Sequence, residues 1–334
     1  MFKRKFLQLA VGSIIGAQIP MVKSGFAADV PKKKIKVGML KYGTARWEME
    51  IIKKMGLDLE SGVDLELKEV SGKQASHVAL MSREADIVLS DFLWVASLRS
   101  KGDNFTLVPH SYAVGGLISS AKSDIGKLSD LPGKTVGIAG GPLDKSWVVL
   151  RAYYKMKTGE NLENLVEARF GSAPLINELV LENKVDASLN FWHFNARAKA
   201  AGLSEVISVQ KMMQELGIKD TPPLLGWVFR DDIKKEKAEA IRGFLDASFK
   251  AKAILLKDDS AWDLLKKKMR ADKNDQLFQQ LRADYRKGII TEYNQKTVQA
   301  AADAFDIMAE VGGEKLVGVN SSMDPKTFWS GYEK

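Results

Sequence analysis

Aromatic, acidic, polar and glycine residues gather where predicted strands end and the chain turns back into a helix. They are Gly43, Thr44, Trp47, Ser90, Asp91, Gly141, Asp144, Ser146, Trp147, Asn190, Trp192, His193 and Trp227. In open parallel sheets, ligands bind beyond the carboxyl ends of the strands, where loops and helix N-termini face a crevice. The spacing therefore predicts that these residues line one small-molecule site.

The indole rings in this set could hold a solute. Aromatic faces stack on apolar or heteroaromatic groups and attract cations through their quadrupole. Trp147 and Trp192 each fall on the first helical turn after a predicted strand, which favours solute contact. Trp47 is in helical phase with Ile51 and Met55, so burial in a core explains it equally well.

The composition excludes several kinds of chemistry. The chain has 334 residues, is 45% hydrophobic and contains no Cys, which excludes disulfides, thiol nucleophiles and thiolate metal sites. His77, His110 and His193 are isolated in the sequence and lack the spacing of paired metal ligands. No stretch has the glycine spacing of a phosphate or dinucleotide loop. We therefore predict no catalytic residue, no metal site and no cofactor, with an oxygen-ligated metal left open as the alternative.

The start of the chain has the organisation of an export signal. Residues 3–5 are basic, an apolar stretch follows, and Gly25 and Ala27 occupy the positions expected before a cleavage site. Polar residues and Pro20 interrupt the apolar stretch, so it falls short of the ~20 apolar residues of a membrane anchor. We predict a signal peptide over 1–27 and an exported mature protein.

Removal of that segment also lowers the net charge. The formal charge of +8 falls to +4, because residues 1–27 contain four basic residues and no acidic one. A modest excess spread over helices is typical of solvated faces rather than of a nucleic-acid groove. We therefore predict no nucleic-acid partner.

Short strand-like runs alternate with helical runs, which predicts an α/β fold with largely parallel sheets. The same order recurs on both sides of 115–116, which predicts two similar lobes. After Gly226 the pattern becomes almost wholly helical, and we expect this C-terminal tail to cover the first lobe. The predicted boundaries are 30–115 plus 227–334 for lobe one, 116–226 for lobe two, and 113–116 and 222–226 for the two hinge segments.

Four stretches of the sequence resemble one known family. They are the Tyr-Gly-Thr-Ala turn at 42–45, DIVLSDF at 86–92, KLSDLPGKTVGIAGGPLDKSW at 127–147 and ENKVDASLNFWHF at 182–194. With the signal peptide, they resemble periplasmic solute-binding proteins of ABC importers, in the nitrate, sulfonate and taurine (NitT/TauT) group that also contains binders of thiamine-pyrimidine precursors. The resemblance implies a type II-like periplasmic binding protein, a monomer whose two α/β lobes close on one small solute and dock on a membrane permease.

The residues leave two solute classes open. The donors suited to nitrate or a sulfonate are Thr44, Ser90, the amides after Gly140 and Gly141, Lys145 and Ser146. The carboxylates of Asp91 and Asp144, together with the indoles, fit a nitrogen heterocycle or an organic amine slightly better. First-turn acids are also favoured by the helix dipole, so a structural role explains both aspartates as well.

An enzyme is the alternative from another class. Fungal pyrimidine-precursor synthases share the fold that the resemblance implies. Those enzymes resemble one another through a Cys-rich segment, and this chain contains no Cys. We therefore predict a binding protein rather than an enzyme.

Overall fold

The computed structural model describes residues 33–320 and 322–334, so the predicted signal peptide over 1–27 lies outside the described residues. The strands are β1 (Lys33–Leu40), β2 (Val63–Val70), β3 (Ile87–Asp91), β4 (Phe105–Ser111), β5 (Gly116–Ser119), β6 (Thr135–Ala139), β7 (Glu167–Gly171), β8 (Ala187–Asn190), β9 (Ser204–Ser208) and β10 (Leu225–Arg230). They form two five-stranded sheets.

Helices cover these sheets. They are α1 (Ala45–Met55), α2 (Leu57–Glu60), α3 (Lys73–Met81), α4 (Phe92–Arg99), α5 (Lys145–Thr158), α6 (Ala173–Leu181), α7 (Trp192–Ala200), α8 (Val209–Glu215), α9 (Asp231–Glu236), α10 (Ala238–Lys257), α11 (Ser260–Asp263), α12 (Lys266–Met269), α13 (Asp275–Lys287), α14 (Gln295–Gly312) and α15 (Glu314–Val317). Short 3₁₀ turns lie at Leu128–Asp130, Leu162–Asn164 and Pro325–Thr327. Within the described residues, none of the helices is both long enough and apolar enough to cross a membrane.

The two sheets have the same strand arrangement. The first sheet has the order β2-β1-β3-β10-β4, and the second has the order β7-β6-β8-β5-β9. β1 runs parallel to β2 and β3, as β6 does to β7 and β8. β10 and β5 run antiparallel to both of their neighbours. The α/β prediction is confirmed. In addition, each sheet contains one strand that is antiparallel to its neighbours, β10 in the first sheet and β5 in the second. Each of these strands directly follows a segment in which the chain crosses from one sheet to the other.

Both crossings contain a glycine that the backbone requires. A Cβ atom on Gly115 would lie 1.7 Å from the carbonyl oxygen of Asn190. A Cβ atom on Gly226 would lie 2.7 Å from the carbonyl oxygen of Val108. A side chain at either position would clash with a neighbouring strand's backbone. Only glycine therefore allows β5 and β10 to pair with their sheets directly after the crossings.

The C-terminal helices pack on both sheets. α10 packs against α1 and β1 of the first sheet, whereas α13 packs against α7 and α14 packs against α5, beside the second sheet. The tail was expected to cover the first lobe. α10 does so, whereas α13 and α14 pack beside the second sheet. The reason is that an amphipathic helix buries its apolar face wherever apolar surface is uncovered, and α13 buries Phe278, Leu281 and Tyr285 in this way.

Candidate functional site

Asp91 connects the strand ends of the two sheets. It is the last residue of β3 and caps α4, its Oδ1 accepting the backbone N–H of Trp94 at 2.9 Å. Its Oδ2 lies 2.9 Å from the Nζ atom of Lys73 and 3.1 Å from the Nζ atom of Lys145. Lys73 begins α3 beside the first sheet, and Lys145 begins α5 beside the second. The carboxyl ends of both sheets therefore face the same crevice.

The charges at this point stabilise one another. Burial of Asp91, which is 3% exposed, opposes ionisation. The ammonium groups of Lys145 and Lys73 outweigh burial and hold the pKa of Asp91 well below its usual range. For Lys145, burial lowers the pKa, but Asp91 and Asp144 raise it above the ordinary value. Asp91 and Lys145 are therefore both charged at neutral pH.

His77 lies next to this ion pair on α3. Its Nε2 atom is 2.8 Å from the hydroxyl oxygen of Ser90. Its ring stacks on Trp94 with a centroid separation of 3.5 Å and an interplanar angle of 6°. Burial, with a contribution from the charge of Lys73, lowers the pKa of His77 to about 4. The imidazole is therefore neutral at pH 7 and can accept or donate one hydrogen bond.

Sequence analysis did not place Lys73 and His77 in the site. α3 follows the carboxyl end of β2, so the strand-end rule that selected the other residues applies to this helix as well. The sequence analysis applied this rule to the ends of β1 and β3 but not to the end of β2, and it considered His77 only as a metal ligand.

Asp144 caps the helix that carries Lys145. Its Oδ1 accepts the backbone N–H of Ser146 at 2.9 Å and that of Trp147 at 3.4 Å. Burial raises the pKa of Asp144, although Lys145 acts in the opposite direction. Gly141 precedes this turn and is half-buried, as is Ser146. Asp144 therefore has the structural role that was one of its two predicted roles, and it caps the helix that Lys145 begins.

Asn190 and His193 lie at the end of β8 and at the start of α7. Asn190 donates from Nδ2 to the carbonyl oxygen of Ala173 at 2.9 Å and accepts the backbone N–H of Phe191 at 2.8 Å. Burial and the charge of Arg197 lower the pKa of His193 to about 3. The Nδ1 atom of His193 has no hydrogen-bond partner among the described residues. Asn190 therefore shapes the loop after β8.

The loop after β1 carries Gly43 and Thr44. Gly43 donates its backbone N–H to the Leu40 carbonyl oxygen at 3.2 Å, which closes the turn. Thr44 occupies the N-cap position of α1, but within the described part of the chain its side chain makes no capping hydrogen bond. Thr44 is therefore an N-cap by position only, and the hydroxyl of this half-buried residue retains its hydrogen-bonding capacity.

Four aromatic rings meet between the sheets. Trp47 of α1 lies 5.8 Å from Trp192 of α7 and 5.7 Å from Tyr285 of α13, measured between ring centroids. Trp262 of α11 lies 5.3 Å from Tyr285. We call these four residues the aromatic cluster. It connects helices of both sheets, and Trp47 is only 4% exposed within it.

Trp147 and Trp227 pack away from this cluster. Trp147 is 2% exposed and lies edge-on to Phe170. Trp227 is fully buried in β10, where its Nε1 donates to the Ser248 hydroxyl at 3.3 Å and its ring packs on Phe244. Neither ring reaches the surface of the crevice in this conformation, so their predicted contact with a solute stays a prediction.

A buried ion pair lies beneath the aromatic cluster. Glu48 of α1 is fully buried, and its Oε2 lies 3.1 Å from the Nζ atom of Lys252 of α10. Ser248 donates to the other Glu48 oxygen at 2.5 Å, and Lys252 donates to Ser248 at 2.6 Å. Burial raises the pKa of Glu48 and lowers that of Lys252.

Within residues 33–320 and 322–334, no group of His, Asp and Glu side chains is arranged to hold a metal ion.

Comparison with known proteins identifies the family. The model of the family described as NMT1/THI5 like matches residues 58–261. The chain belongs to the NMT1/THI5-like family. The matched region of this family member contains Lys73, Asp91 and Lys145 from the two sides of the crevice, and it begins after Thr44 and Trp47. No curated protein matches the chain.

Solved structures show the fold of this family member. The alkanesulfonate-binding protein SsuA from Xanthomonas axonopodis pv. citri, bound to MOPS, has 12% identity over 89% of this chain and 98% of its own, with a TM-score of 0.66. The periplasmic aliphatic sulphonate-binding protein SsuA from Escherichia coli has 14% identity over 86% and 94%, with a TM-score of 0.66. An ABC transporter structure from Parabacteroides distasonis has 15% identity over 90% and 99%, with a TM-score of 0.66. The predicted periplasmic-binding-protein fold is confirmed.

Proposed function

We propose that this protein captures a small solute in the crevice between its sheets and delivers it to an ABC-type permease at the inner membrane. The main supporting observation is the 3.1 Å contact between Asp91 and Lys145, which brings the carboxyl ends of both sheets to one place. A solute bound there touches both halves of the protein, so binding and closure are coupled. The protein acts in the periplasm as a monomer, after removal of its signal peptide.

The polar groups of the crevice are suited to binding rather than to acid–base catalysis. A general acid or base works best when its pKa lies near the working pH. The pKa of His77 is lowered to about 4, and that of Asp91 is held well below its usual range. Neither group exchanges a proton readily near pH 7. We therefore propose that the solute is released unchanged.

We propose an organic oxyanion, such as a sulfonate, as the solute. Two ammonium groups, from Lys73 and Lys145, share the single carboxylate of Asp91, which leaves a positive charge and unused N–H donors beside the crevice. The hydroxyl of Thr44 adds a further donor. The two SsuA proteins of similar fold are sulfonate-binding proteins.

A nitrogen heterocycle or organic amine is the second candidate. It is favoured by the edge-to-face contact of Trp47 with Trp192, since these rings come from opposite sides of the crevice. A flat ring inserted between these perpendicular rings would stack on one of them and meet the other edge-on, and both arrangements are favourable between aromatic rings.

Mass spectrometry of the compound released by denaturing the purified protein tests the proposal. We expect one compound, bound stoichiometrically and containing an acidic oxyanion group. Calorimetry should then compare an alkanesulfonate with the alkylamine of the same carbon chain and with an aminopyrimidine. Preferred binding of the aminopyrimidine or the amine would favour the second candidate, and turnover of the bound compound would overturn the binding function.

Lys145→Met provides a matched test of the anion site. Loss of a charge-assisted contact should weaken sulfonate binding by about tenfold or more. Lys134→Met is the control, because Lys134 pairs with the exposed Asp124 beside the same sheet, away from the crevice. Equal affinities of the two variants would exclude Lys145 as an anion ligand.

A further inference from the structure

Two helices of the C-terminal tail are attached to the second sheet. α13 packs along α7, where Lys199 Nζ lies 2.8 Å from Asp284 Oδ2 and Tyr285 lies 5.8 Å from Trp192. Arg197 of α7 also donates to the carbonyl oxygen of Met269 at 2.8 Å, just before α13 begins. α14 packs along α5 and buries Phe305 and Met308.

α13 also contacts helices of the first sheet, because Tyr285 packs on Trp47 and Trp262. Arg282 and Arg286 reach Asp259, whose side chain is 63% exposed. Exposed ion pairs contribute little to stability because water competes for both partners. α13 packs along α7 more extensively than along any helix of the first sheet. Separating α13 from the second sheet would therefore cost more than separating it from the first.

The end of α13 is also joined to the first crossing. Tyr112 donates its backbone N–H to the carbonyl oxygen of Gly288 at 2.9 Å, and the Ser111 hydroxyl donates to the same oxygen at 3.1 Å. A Cβ atom on Gly288 would lie 2.7 Å from the backbone nitrogen of Ala113. The tail thus touches the chain at the point where the sheets would pivot.

We infer that α13 and α14 move with the second sheet, so that the body rotating on solute exchange is 116–219 together with 275–287 and 295–312. This inference rests on the proposed function for the rotation itself. The chain then passes between the bodies near 258–274, at 288–294, where its backbone pairs with Ser111 and Lys334, and after Gly312. Opening separates Trp47 and Trp262 from Trp192 and Tyr285, and the tail thereby contributes Tyr285 to the moving wall of the crevice.

Spin-label distances test which body α13 follows. The chain has no Cys, so labels can be attached at introduced cysteines alone. One pair joins exposed Gln279 of α13 to exposed Lys155 of α5, and the other joins Gln279 to exposed Ser82 after α3. Lys145→Glu opens the crevice by placing a carboxylate against Asp91, so no solute needs to be known. We expect the Gln279 to Ser82 distance to lengthen and the Gln279 to Lys155 distance to stay constant.

Controls make each outcome decisive. Lys134→Glu introduces the same charge change away from the crevice and should alter neither distance. Asp91→Arg repeats the repulsion with cations and should reproduce the result if Lys145→Glu folds poorly. A change in the Gln279 to Lys155 distance with a constant Gln279 to Ser82 distance would overturn the inference. Two unchanged distances would overturn it as well, while a solute found by mass spectrometry would still support the proposed function.

Discussion

Lys145 Nζ lies 3.1 Å from Asp91 Oδ2, although Lys145 begins a helix of the second sheet and Asp91 ends a strand of the first. Asp91 also caps α4, so one side chain fixes a helix terminus and contacts the opposite wall of the crevice. A change at Asp91 should therefore affect stability and the relation between the sheets together.

Asp91→Asn should separate these two roles. Asn is as good an N-cap as Asp, so the bond to the Trp94 N–H is retained while the charge is lost. Loss of a buried charge-assisted contact should lower the free energy of unfolding by about 2 kcal/mol at pH 7. Urea unfolding of both proteins measures the difference.

The stability difference between wild type and Asp91→Asn should depend on pH. The pKa of folded Asp91 is depressed, so the ionised carboxylate stabilises the fold above the unfolded pKa. That stabilisation is lost as pH falls below about 4, near the ordinary pKa of Asp. The difference between wild type and Asp91→Asn should therefore shrink in acid, and a difference that grows in acid would contradict the assigned ion pair.

Lys252→Met should be among the most destabilising changes. It leaves the Glu48 carboxylate buried without its counter-ion, which costs about 3–5 kcal/mol. Adding Glu48→Gln should recover part of the loss, because the buried charge is then removed. Lys250→Met is the matched control, since Lys250 pairs with the exposed Glu60 and its loss should cost less than about 1 kcal/mol. Thermal and urea unfolding of the four proteins provide the comparison.

Trp192→Ala should mainly weaken solute binding, whereas Trp147→Ala should mainly lower stability. Trp192 is half-buried between the sheets, so its truncation should weaken solute binding by about tenfold or more. Trp147 is 2% exposed, and its truncation should cost about 3–5 kcal/mol of stability. Binding calorimetry and urea unfolding on each variant separate the effects. If Trp147→Ala has normal stability but does not bind the solute, Trp147 contacts the solute directly.

Gly115→Ala should disturb the first crossing. Its methyl group would meet the Asn190 carbonyl oxygen, whereas a Cβ atom on Gly141 has no atom within 4 Å. We expect Gly115→Ala to lower the melting temperature and Gly141→Ala to leave it within error of wild type. Equal melting temperatures would contradict the close approach at the crossing.

The sequence by itself determined the class of fold and most of its elements. Alternation of strand-like and helical runs follows from the burial of alternate residues in strands and of one face in helices, and these are local properties. The strand-end rule likewise selected Ser90, Asp91 and Asp144 before any contact was known.

Only the tertiary structure decided which residues meet. Asp91 and Lys145 are separated by more than fifty positions of chain, and nothing local indicates that they pair across the crevice. The same is true of Trp47, Trp192 and Tyr285, and of the packing of α13 on α7. Helical periodicity shows that a helix has an apolar face but does not say which surface covers it, because burial of apolar area is not directional.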